Sequence, residues 1–221
     1  MADTSGWLAT ALFLASAVVG VVAAERGWRR CLWWAKPITT LLLFAVLGPA
    51  IGRGGFAGWI AAGVALSVVG DTALLFETER SFMFGLVAFL GAHGLYTVAF
   101  LSKARGGTAV GLYAAAMGVV TLVLLGRLWR GAGSLRIPVV IYGATIATMV
   151  VSAFATIGVG GLGPAASRLA AIGALLFFVS DACLALCRFS KPIRHSAVLT
   201  LGVYWLGQLG IAWAARLTHG G

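Results

Sequence analysis

The stretch Ala174-Leu-Leu-Phe-Phe-Val-Ser-Asp181-Ala-Cys-Leu-Ala-Leu186 has the length of a helix and carries a single charge, the carboxylate of Asp181. A second stretch, Ala65-Leu-Ser-Val-Val-Gly-Asp71-Thr-Ala-Leu-Leu-Phe76, has the same form, and its Asp71 lies 110 residues before Asp181 in a chain of 221. An ionisable side chain inside a membrane segment costs at least a few kcal/mol, so its presence indicates a functional site. Two of them, half a chain apart, predict a site to which two duplicated halves each contribute a carboxyl group.

The composition is typical of a membrane protein. Hydrophobic residues make up 61% of the chain and charged residues 10%, and the mean hydropathy is +1.01, outside the range of soluble domains. Because an apolar helix of about 20 residues crosses a bilayer, the chain has room for about eight spans. The sequence therefore predicts an all-α polytopic membrane protein whose residues 1–221 form a single membrane domain, with repeat halves covering about 1–105 and 106–221.

The basic residues predict the orientation of the spans. The spans are predicted at about 7–24, 33–48, 56–76, 82–101, 109–126, 137–158, 166–186 and 197–215, and eleven of the sixteen Lys and Arg fall in the odd-numbered connections. The positive-inside rule places those connections in the cytoplasm and both termini outside, in the inner membrane if the source is bacterial. Four spans are an even number, so the two four-helix halves are expected to be parallel. The first run has no basic segment before it and is expected to be a retained span.

Several functional classes lack their signals in this sequence. The net charge of +10 is spread over short connections, which favours membrane lipid headgroups over nucleic acid as the partner. The chain has an odd number of cysteines, Cys31, Cys183 and Cys187, and no Cys-x-x-Cys spacing. They therefore indicate neither a disulfide framework nor a zinc site. Neither Gly-x-Ser-x-Gly nor His-Glu-x-x-His occurs. No cofactor is indicated, and a metal could be bound only through the aspartates.

Other polar side chains fall in the same half of the predicted bundle as the two aspartates, or near its midplane. They are Lys36, His93, Tyr96, Tyr142, Tyr204 and Gln208. Each has a structural alternative, because a lysine can extend to the membrane interface and a Tyr, His or Gln can join helices by hydrogen bonds. The outer half is predicted to have almost no polar groups. The aspartates are different, since neither of their spans offers a neighbouring Lys or Arg.

A pair of carboxyl groups has a specific chemistry. Two of them at one depth in a low-dielectric cleft repel one another, so one is expected to keep its proton near neutral pH. The protonated group can act as a general acid, while its ionised partner stabilises a cation or activates water. The residues predict hydrolysis at Asp71 and Asp181, reached from the cytoplasmic side, and leave open which of the two is the acid.

Short motifs follow one another along the chain. They are Lys36-Pro37, Ser67-x-x-Gly70-Asp71, Gly85-Leu86-x-x-Phe89-x-x-x-His93-x-x-Tyr96, Pro138-x-x-x-Tyr142, Gly173-Ala-Leu-x-Phe177-x-x-Ser180-Asp181 and Tyr204-x-x-x-Gln208. In this combination and order, over about residues 33–215, the chain resembles the YhhN-type lysoplasmalogenases, a family of eight-span membrane proteins.

The resemblance implies hydrolysis of the vinyl-ether bond of lysoplasmalogens to a fatty aldehyde and glycerophosphoethanolamine or glycerophosphocholine. It implies that Asp71 and Asp181 are catalytic and that the alkenyl tail lies in the apolar outer half of the bundle. Lys36 is then a candidate contact for the phosphate at the cytoplasmic interface. The remaining substrate-binding candidates, which would orient water or the glycerophosphate, are His93, Tyr96, Tyr142, Tyr204 and Gln208.

A small membrane transporter or lipid carrier is an alternative, because parallel repeats and midplane polar residues also suit alternating access. That alternative predicts solute or proton flux in liposomes without chemistry on a lysolipid. A third class, a non-catalytic membrane scaffold, predicts that replacing both Asp71 and Asp181 by alanine leaves the cellular role intact.

Overall fold

A computed structural model of the chain describes residues 3–105, 109–158, 161–191 and 193–218. Within that part, eight helices are long and apolar enough to cross a membrane, which confirms the predicted all-α polytopic class. The helices are α1 (Thr4–Glu25), α2 (Arg29–Leu47), α3 (Gly55–Ala73), α4 (Glu79–Leu101), α5 (Ala109–Leu128), α6 (Arg136–Phe154), α7 (Pro164–Phe189) and α8 (Val203–Leu217). Short 3₁₀ segments occupy Gly48–Arg53 and Gly133–Leu135, and a π-helical segment, Val198–Gly202, precedes α8.

Several helix ends differ from the predicted boundaries by three residues or more, and two of these ends lie near the predicted site. α2 begins at Arg29, about one turn earlier than predicted, so Pro37 lies inside the helix rather than in its first turn. α3 ends at Ala73, although the apolar run continues to Phe76. Hydropathy does not detect these ends, because it reflects the polarity of the side chains and not the conformation of the backbone.

α7 and α8 pack backbone against backbone. A Cβ atom on Gly173 would lie 2.6 Å from the carbonyl oxygen of Gly207, and one on Gly207 would lie 2.8 Å from the carbonyl oxygen of Gly173. Small residues allow this close approach between membrane helices. α3 pairs with α4 and α1 with α2, while α4 packs on α6 and α2 on α8. The relation between two duplicated halves stays a prediction.

α5 lies at the edge of the bundle. Of its residues, only Thr121 and Leu128 are buried. Its main neighbour is α6, and it makes few contacts with α7. One side of the gap between α6 and α7 is therefore closed by a helix that is otherwise exposed to the bilayer.

The end of the bundle away from Asp71 holds a buried polar cluster, and the prediction that this half is almost free of polar groups is wrong. Arg216 of α8 is only 9% exposed and pairs with the carboxylate of Asp3. It also donates to the carbonyl oxygen of Val46 at 2.7 Å and to Ser5 Oγ at 2.9 Å. The Arg216 hydrogen bond holds the pKa of Asp3 at about 2, below its ordinary range. A buried guanidinium is stable here because the carboxylate and carbonyl replace its lost hydration.

Candidate active site

Asp71 lies in the last turn of α3, and its side chain is almost fully buried. Thr40 Oγ1 donates a hydrogen bond of 2.6 Å to Asp71 Oδ2, and the Tyr204 hydroxyl donates one of 2.8 Å to the same oxygen. The Lys36 ammonium lies 3.4 Å from the other oxygen, Oδ1. A cation and two hydroxyl donors are the contacts that stabilise a carboxylate in its ionised form.

Lys36 does not extend to the membrane interface, and its predicted position there is wrong. Its side chain is only 9% exposed and faces Asp71. Because α2 begins at Arg29, Lys36 lies about two turns into the helix. The positive charge that the spans of the two aspartates lack is therefore supplied to Asp71 by a neighbouring helix.

Asp181 lies about two turns before the end of α7, and its side chain is 13% exposed. The Tyr142 hydroxyl of α6 donates a hydrogen bond of 2.5 Å to Asp181 Oδ2. His93 Nε2 lies 3.6 Å from the same oxygen, too far for a hydrogen bond. Among the described residues, no Lys or Arg lies within 4 Å of this carboxyl group. Asp181 thus lacks the cation that Asp71 has.

His93 is fully buried on α4, beside Asp181. Its ring packs edge-on against the rings of Phe177 and Tyr142, with centroid distances of 4.6 Å and 5.3 Å. In the part of the chain that the structure describes, neither ring nitrogen has a hydrogen-bond partner. A side chain enclosed in this way can influence a reaction only through Asp181 and Tyr142.

Tyr96 and Gln208 belong to a buried chain of hydrogen bonds that leads to Tyr204. The Tyr96 hydroxyl donates to Gln208 Oε1 at 2.7 Å. Gln208 Nε2 donates to Ser67 Oγ at 2.8 Å and to the Tyr204 hydroxyl at 3.3 Å. Gly63 makes room for the tyrosine, since a Cβ there would lie 2.2 Å from the Tyr96 ring. This chain orients the Tyr204 hydroxyl toward Asp71.

Asp71 and Asp181 line one cleft, which encloses about 1180 Å³ including its open mouth. Lys36 and Tyr204 also line it, whereas His93, Tyr96, Tyr142 and Gln208 do not. The mouth lies where α1 and α7 end and where α2 and α4 begin, as shown by the lining residues Ala24, Arg188, Leu32 and Phe82. The structure therefore brings the two carboxyl groups to a common space that opens at one end of the bundle.

Sequence reasoning missed Arg188, which lines the mouth of this cleft from the last turn of α7. Its guanidinium lies 4.9 Å from the ring centroid of Phe82, and the side chain is exposed. Arg188 follows Asp181 by seven residues, which places it on the same helix face about 10 Å further along the axis. That spacing is the signal by which the sequence could have revealed it.

The π-helical segment also adjoins the cleft. Ser180, the residue before Asp181, donates a hydrogen bond of 2.6 Å to the carbonyl oxygen of Thr200, which lies in Val198–Gly202. Both residues line the cleft. π-helical turns occur frequently at functional sites, and this one fixes the start of α8 against α7 at the level of Asp181.

The side chains present support acid–base chemistry. Among the described residues, no three His, Cys, Asp or Glu side chains lie close enough together to hold a metal ion. Cys31, Cys183 and Cys187 are free thiols. What the cleft offers a reactant is two carboxyl groups of unlike surroundings, one ammonium group and several hydroxyl groups, all capable of moving or holding a proton.

Eight apolar helices and two carboxyl groups in one internal cleft define a class of protein, a multi-pass membrane protein with an acidic site inside the bundle. The YhhN family model matches residues 31–215. The chain belongs to the YhhN family.

Three relatives illustrate the range of similarity. Lysoplasmalogenase TMEM86A of Homo sapiens is 32% identical over 154 residues, which cover 69% of this chain and 63% of that protein. Lysoplasmalogenase TMEM86B of Sus scrofa is 28% identical over 195 residues, covering 85% and 76%. The uncharacterized membrane protein YhhN of Escherichia coli O6:H1 is 36% identical over 90 residues, covering 40% and 42%. The chain thus aligns with slightly less than two thirds of the human protein, and no solved structure matches it.

Proposed function

We propose that this protein is a membrane hydrolase that cleaves the vinyl-ether bond of lysoplasmalogens, releasing a fatty aldehyde and glycerophosphoethanolamine or glycerophosphocholine. The observation that carries the proposal is the common cleft, which Asp71 and Asp181 line with unlike neighbours. The relatives named lysoplasmalogenase support the same substrate class. Vinyl ethers hydrolyse through protonation of carbon, a step that requires a general acid.

Asp181 is the proton donor in this proposal. It receives one hydrogen bond, from Tyr142, and has no cation beside it, so the neutral acid is favoured at this position. Asp181 transfers its proton to the carbon of the double bond that is not attached to the ether oxygen. The bond electrons form the new C–H bond, and the positive charge is left on the carbon attached to the ether oxygen, as an oxocarbenium ion.

Asp71 is the ionised partner. Its carboxylate, held by Lys36, Thr40 and Tyr204, stabilises the oxocarbenium ion and accepts a proton from the water that attacks it. In the hemiacetal formed in this way the bond to the glycerol oxygen breaks. That oxygen takes the proton held by Asp71, while the hemiacetal hydroxyl gives its proton to Asp181. The products are the aldehyde and the glycerophospho compound, and both carboxyl groups are then in their starting protonation states.

The phosphate of the substrate is assigned to Arg188 rather than to Lys36. Lys36 is paired with Asp71 deep in the cleft, whereas Arg188 is exposed at the mouth. Phosphate groups favour arginine because its planar guanidinium donates two parallel hydrogen bonds. With the phosphate at Arg188, the glycerol backbone points along α7 toward Asp181.

The cleft is proposed to open to the cytoplasm. Its mouth lies at the end where the odd-numbered connections run, and these carry most of the Lys and Arg. The source membrane would be the inner one in a bacterium. Single cysteines introduced in the α3–α4 and α4–α5 connections of a cysteine-free chain test this orientation. Labelling by an impermeant reagent in intact cells is expected only for the α4–α5 cysteine, and the reverse pattern would contradict it.

Aldehyde release tests the function itself. Purified protein is given a lysoplasmalogen or its saturated alkyl-ether analogue, which lacks the double bond to be protonated. Wild type is expected to release aldehyde from the first only, and Asp71→Asn and Asp181→Asn are expected to lose this activity. Glu79→Gln, which removes an exposed carboxylate from the start of α4, is the matched control. Solute flux in liposomes without aldehyde release would support the carrier alternative instead.

A further inference from the structure

A second cavity lies beside Asp181, between α4, α5, α6 and α7, and encloses about 610 Å³ including its opening. Its lining is apolar except for Thr121, Tyr142 and Asp181. The cavity runs beside α7 from Phe178 to Phe189, a distance of about 16 Å at 1.5 Å per residue.

The two cavities meet at Asp181. Asp181, Phe82 and Leu184 line both the apolar cavity and the polar cleft. On one side of this carboxyl group lie Lys36 and Arg188, and on the other lie the aliphatic side chains of α5 and α6. A molecule with a charged head, a hydrocarbon chain and a reactive bond between them matches this division, with the reactive bond at Asp181.

We propose that the apolar cavity binds the hydrocarbon chain of the lysolipid substrate and thereby places the ether bond at Asp181. The inference deepens the proposed function and rests on it for the identity of the reactive bond. It locates the chain in the same half of the bundle as the cleft, rather than in the outer half where the family resemblance had placed it. The outer half instead contains the buried Arg216, which pairs with Asp3.

Gly143 of α6 determines the width of the cavity. A Cβ atom there would lie 3.5 Å from Thr121 Cγ2 and 3.6 Å from Leu125 Cδ2, which is ordinary van der Waals contact. Alanine therefore fits, whereas a leucine side chain has to project into the space that Gly143 leaves between α5 and α6. Such a side chain takes the place of several methylene groups of a bound chain.

The first experiment compares Gly143→Leu with Gly126→Leu. Gly126 lies on the exposed face of α5 with no atom near its Cβ position, so it is a matched control. For Gly143→Leu, kcat/KM on a long-chain lysoplasmalogen is expected to fall about tenfold or more, while kcat/KM on a propenyl-ether analogue stays within about twofold, since a pocket discriminates by the methylenes it holds. Equal effects on the two substrates, or no effect on either, would overturn the proposal.

Thr121 distinguishes a hydrocarbon site from a polar one. Its hydroxyl is buried and has no hydrogen-bond partner among the described residues. Thr121→Val replaces this hydroxyl by a methyl group of nearly the same shape. A hydrocarbon ligand predicts unchanged or lower KM for the long-chain substrate, whereas a raised KM would show that the cavity binds a polar group and would overturn the proposal.

A binding measurement separates this inference from the proposed reaction. The probe is an alkyl-ether lysophospholipid, which is not hydrolysed, with a photoreactive diazirine in its chain. Crosslinks are expected at Leu125 or Ile146, which line the cavity, and are expected to decrease in Gly143→Leu. If the probe labels the cavity but a lysoplasmalogen releases no aldehyde, the proposed reaction is refuted and the binding site for the hydrocarbon chain is retained. Labelling confined to the outer half, or equal labelling by a diacyl phospholipid carrying the same diazirine chain, would refute the chain site.

Discussion

Asp71 and Asp181 occupy similar sequences but unlike surroundings. Asp71 has an ammonium group 3.4 Å away and accepts hydrogen bonds from two hydroxyl groups. Asp181 has one tyrosine hydroxyl and an enclosed histidine, and it faces an apolar cavity as well as the polar cleft. Two carboxyl groups that look alike in sequence are thus suited to opposite roles, because their neighbours come from other helices.

The largest loss of activity is expected from replacing Asp181. Asparagine keeps the shape and accepts the Tyr142 hydrogen bond but has no proton to give to carbon, so kcat should fall about 10³-fold or more. The kcat of Asp71→Asn should fall about 10²-fold, because the attack of water is slower while Asp181 can still protonate the substrate. Steady-state aldehyde release at saturating lysoplasmalogen measures both. A larger loss in Asp71→Asn than in Asp181→Asn would reverse the two roles.

Added formate sharpens the same comparison. Asp71→Ala leaves a space beside the Lys36 ammonium in which a formate anion can bind and act as the base. Formate is therefore expected to restore part of the turnover of Asp71→Ala at neutral pH. Asp181→Ala should not respond, because formate carries no proton at that pH. Rescue of Asp181→Ala alone would contradict the assignment.

Replacing Lys36 by methionine is expected to cause the next largest loss of turnover. It leaves the Asp71 carboxylate without its cation, so the ionised base is disfavoured and kcat should fall about 10- to 100-fold, less than on losing the base entirely. KM should change little, because the phosphate is assigned to Arg188. Arg188→Gln should show the opposite pattern, a raised KM with kcat nearly unchanged. If Lys36→Met raised KM alone, Lys36 would be the phosphate contact after all.

His93→Phe tests whether an enclosed side chain acts through Asp181. Phenylalanine keeps the edge-on packing against Phe177 but removes the ring nitrogen 3.6 Å from Asp181 Oδ2. The expected result is a decrease in kcat of about tenfold with unchanged KM, since a misplaced general acid loses part of its effect. A changed KM with normal kcat would show that His93 contacts the substrate.

The eight spans and the two aspartates could be recognised in the sequence because apolar runs and isolated charges are local signals. The roles of Asp71 and Asp181 could not, since they depend on contacts between residues far apart. The sequence allows Lys36 to lie at the membrane interface, whereas the start of α2 at Arg29 places it about two turns into the helix, facing Asp71. The pairing of Arg216 with Asp3 likewise cannot be predicted from local sequence, because the two residues are 213 positions apart in the chain.

The smallest effect on turnover is expected at this opposite end of the bundle. Arg216→Gln should lower the melting temperature by several degrees and leave kcat within about twofold, because the residue lies far from the cleft. The pKa of Asp3 is lowered from its usual 3.8 to about 2. The ion pair therefore stabilises the fold fully above about pH 4 and loses this contribution as the pH falls through 2. Thermal unfolding of both proteins should show a difference that shrinks across that range, and a constant difference would contradict the ion-pair explanation.

Infrared spectroscopy can show directly which of the two carboxyl groups holds the proton. A protonated carboxylic acid has a carbonyl stretch that a carboxylate lacks, so difference spectra at neutral pH between wild type and each Asp→Asn variant report which group holds the proton. The band of the neutral acid is expected to disappear in Asp181→Asn and to persist in Asp71→Asn. Its loss in Asp71→Asn and survival in Asp181→Asn would contradict the assignment of Asp181 as the acid.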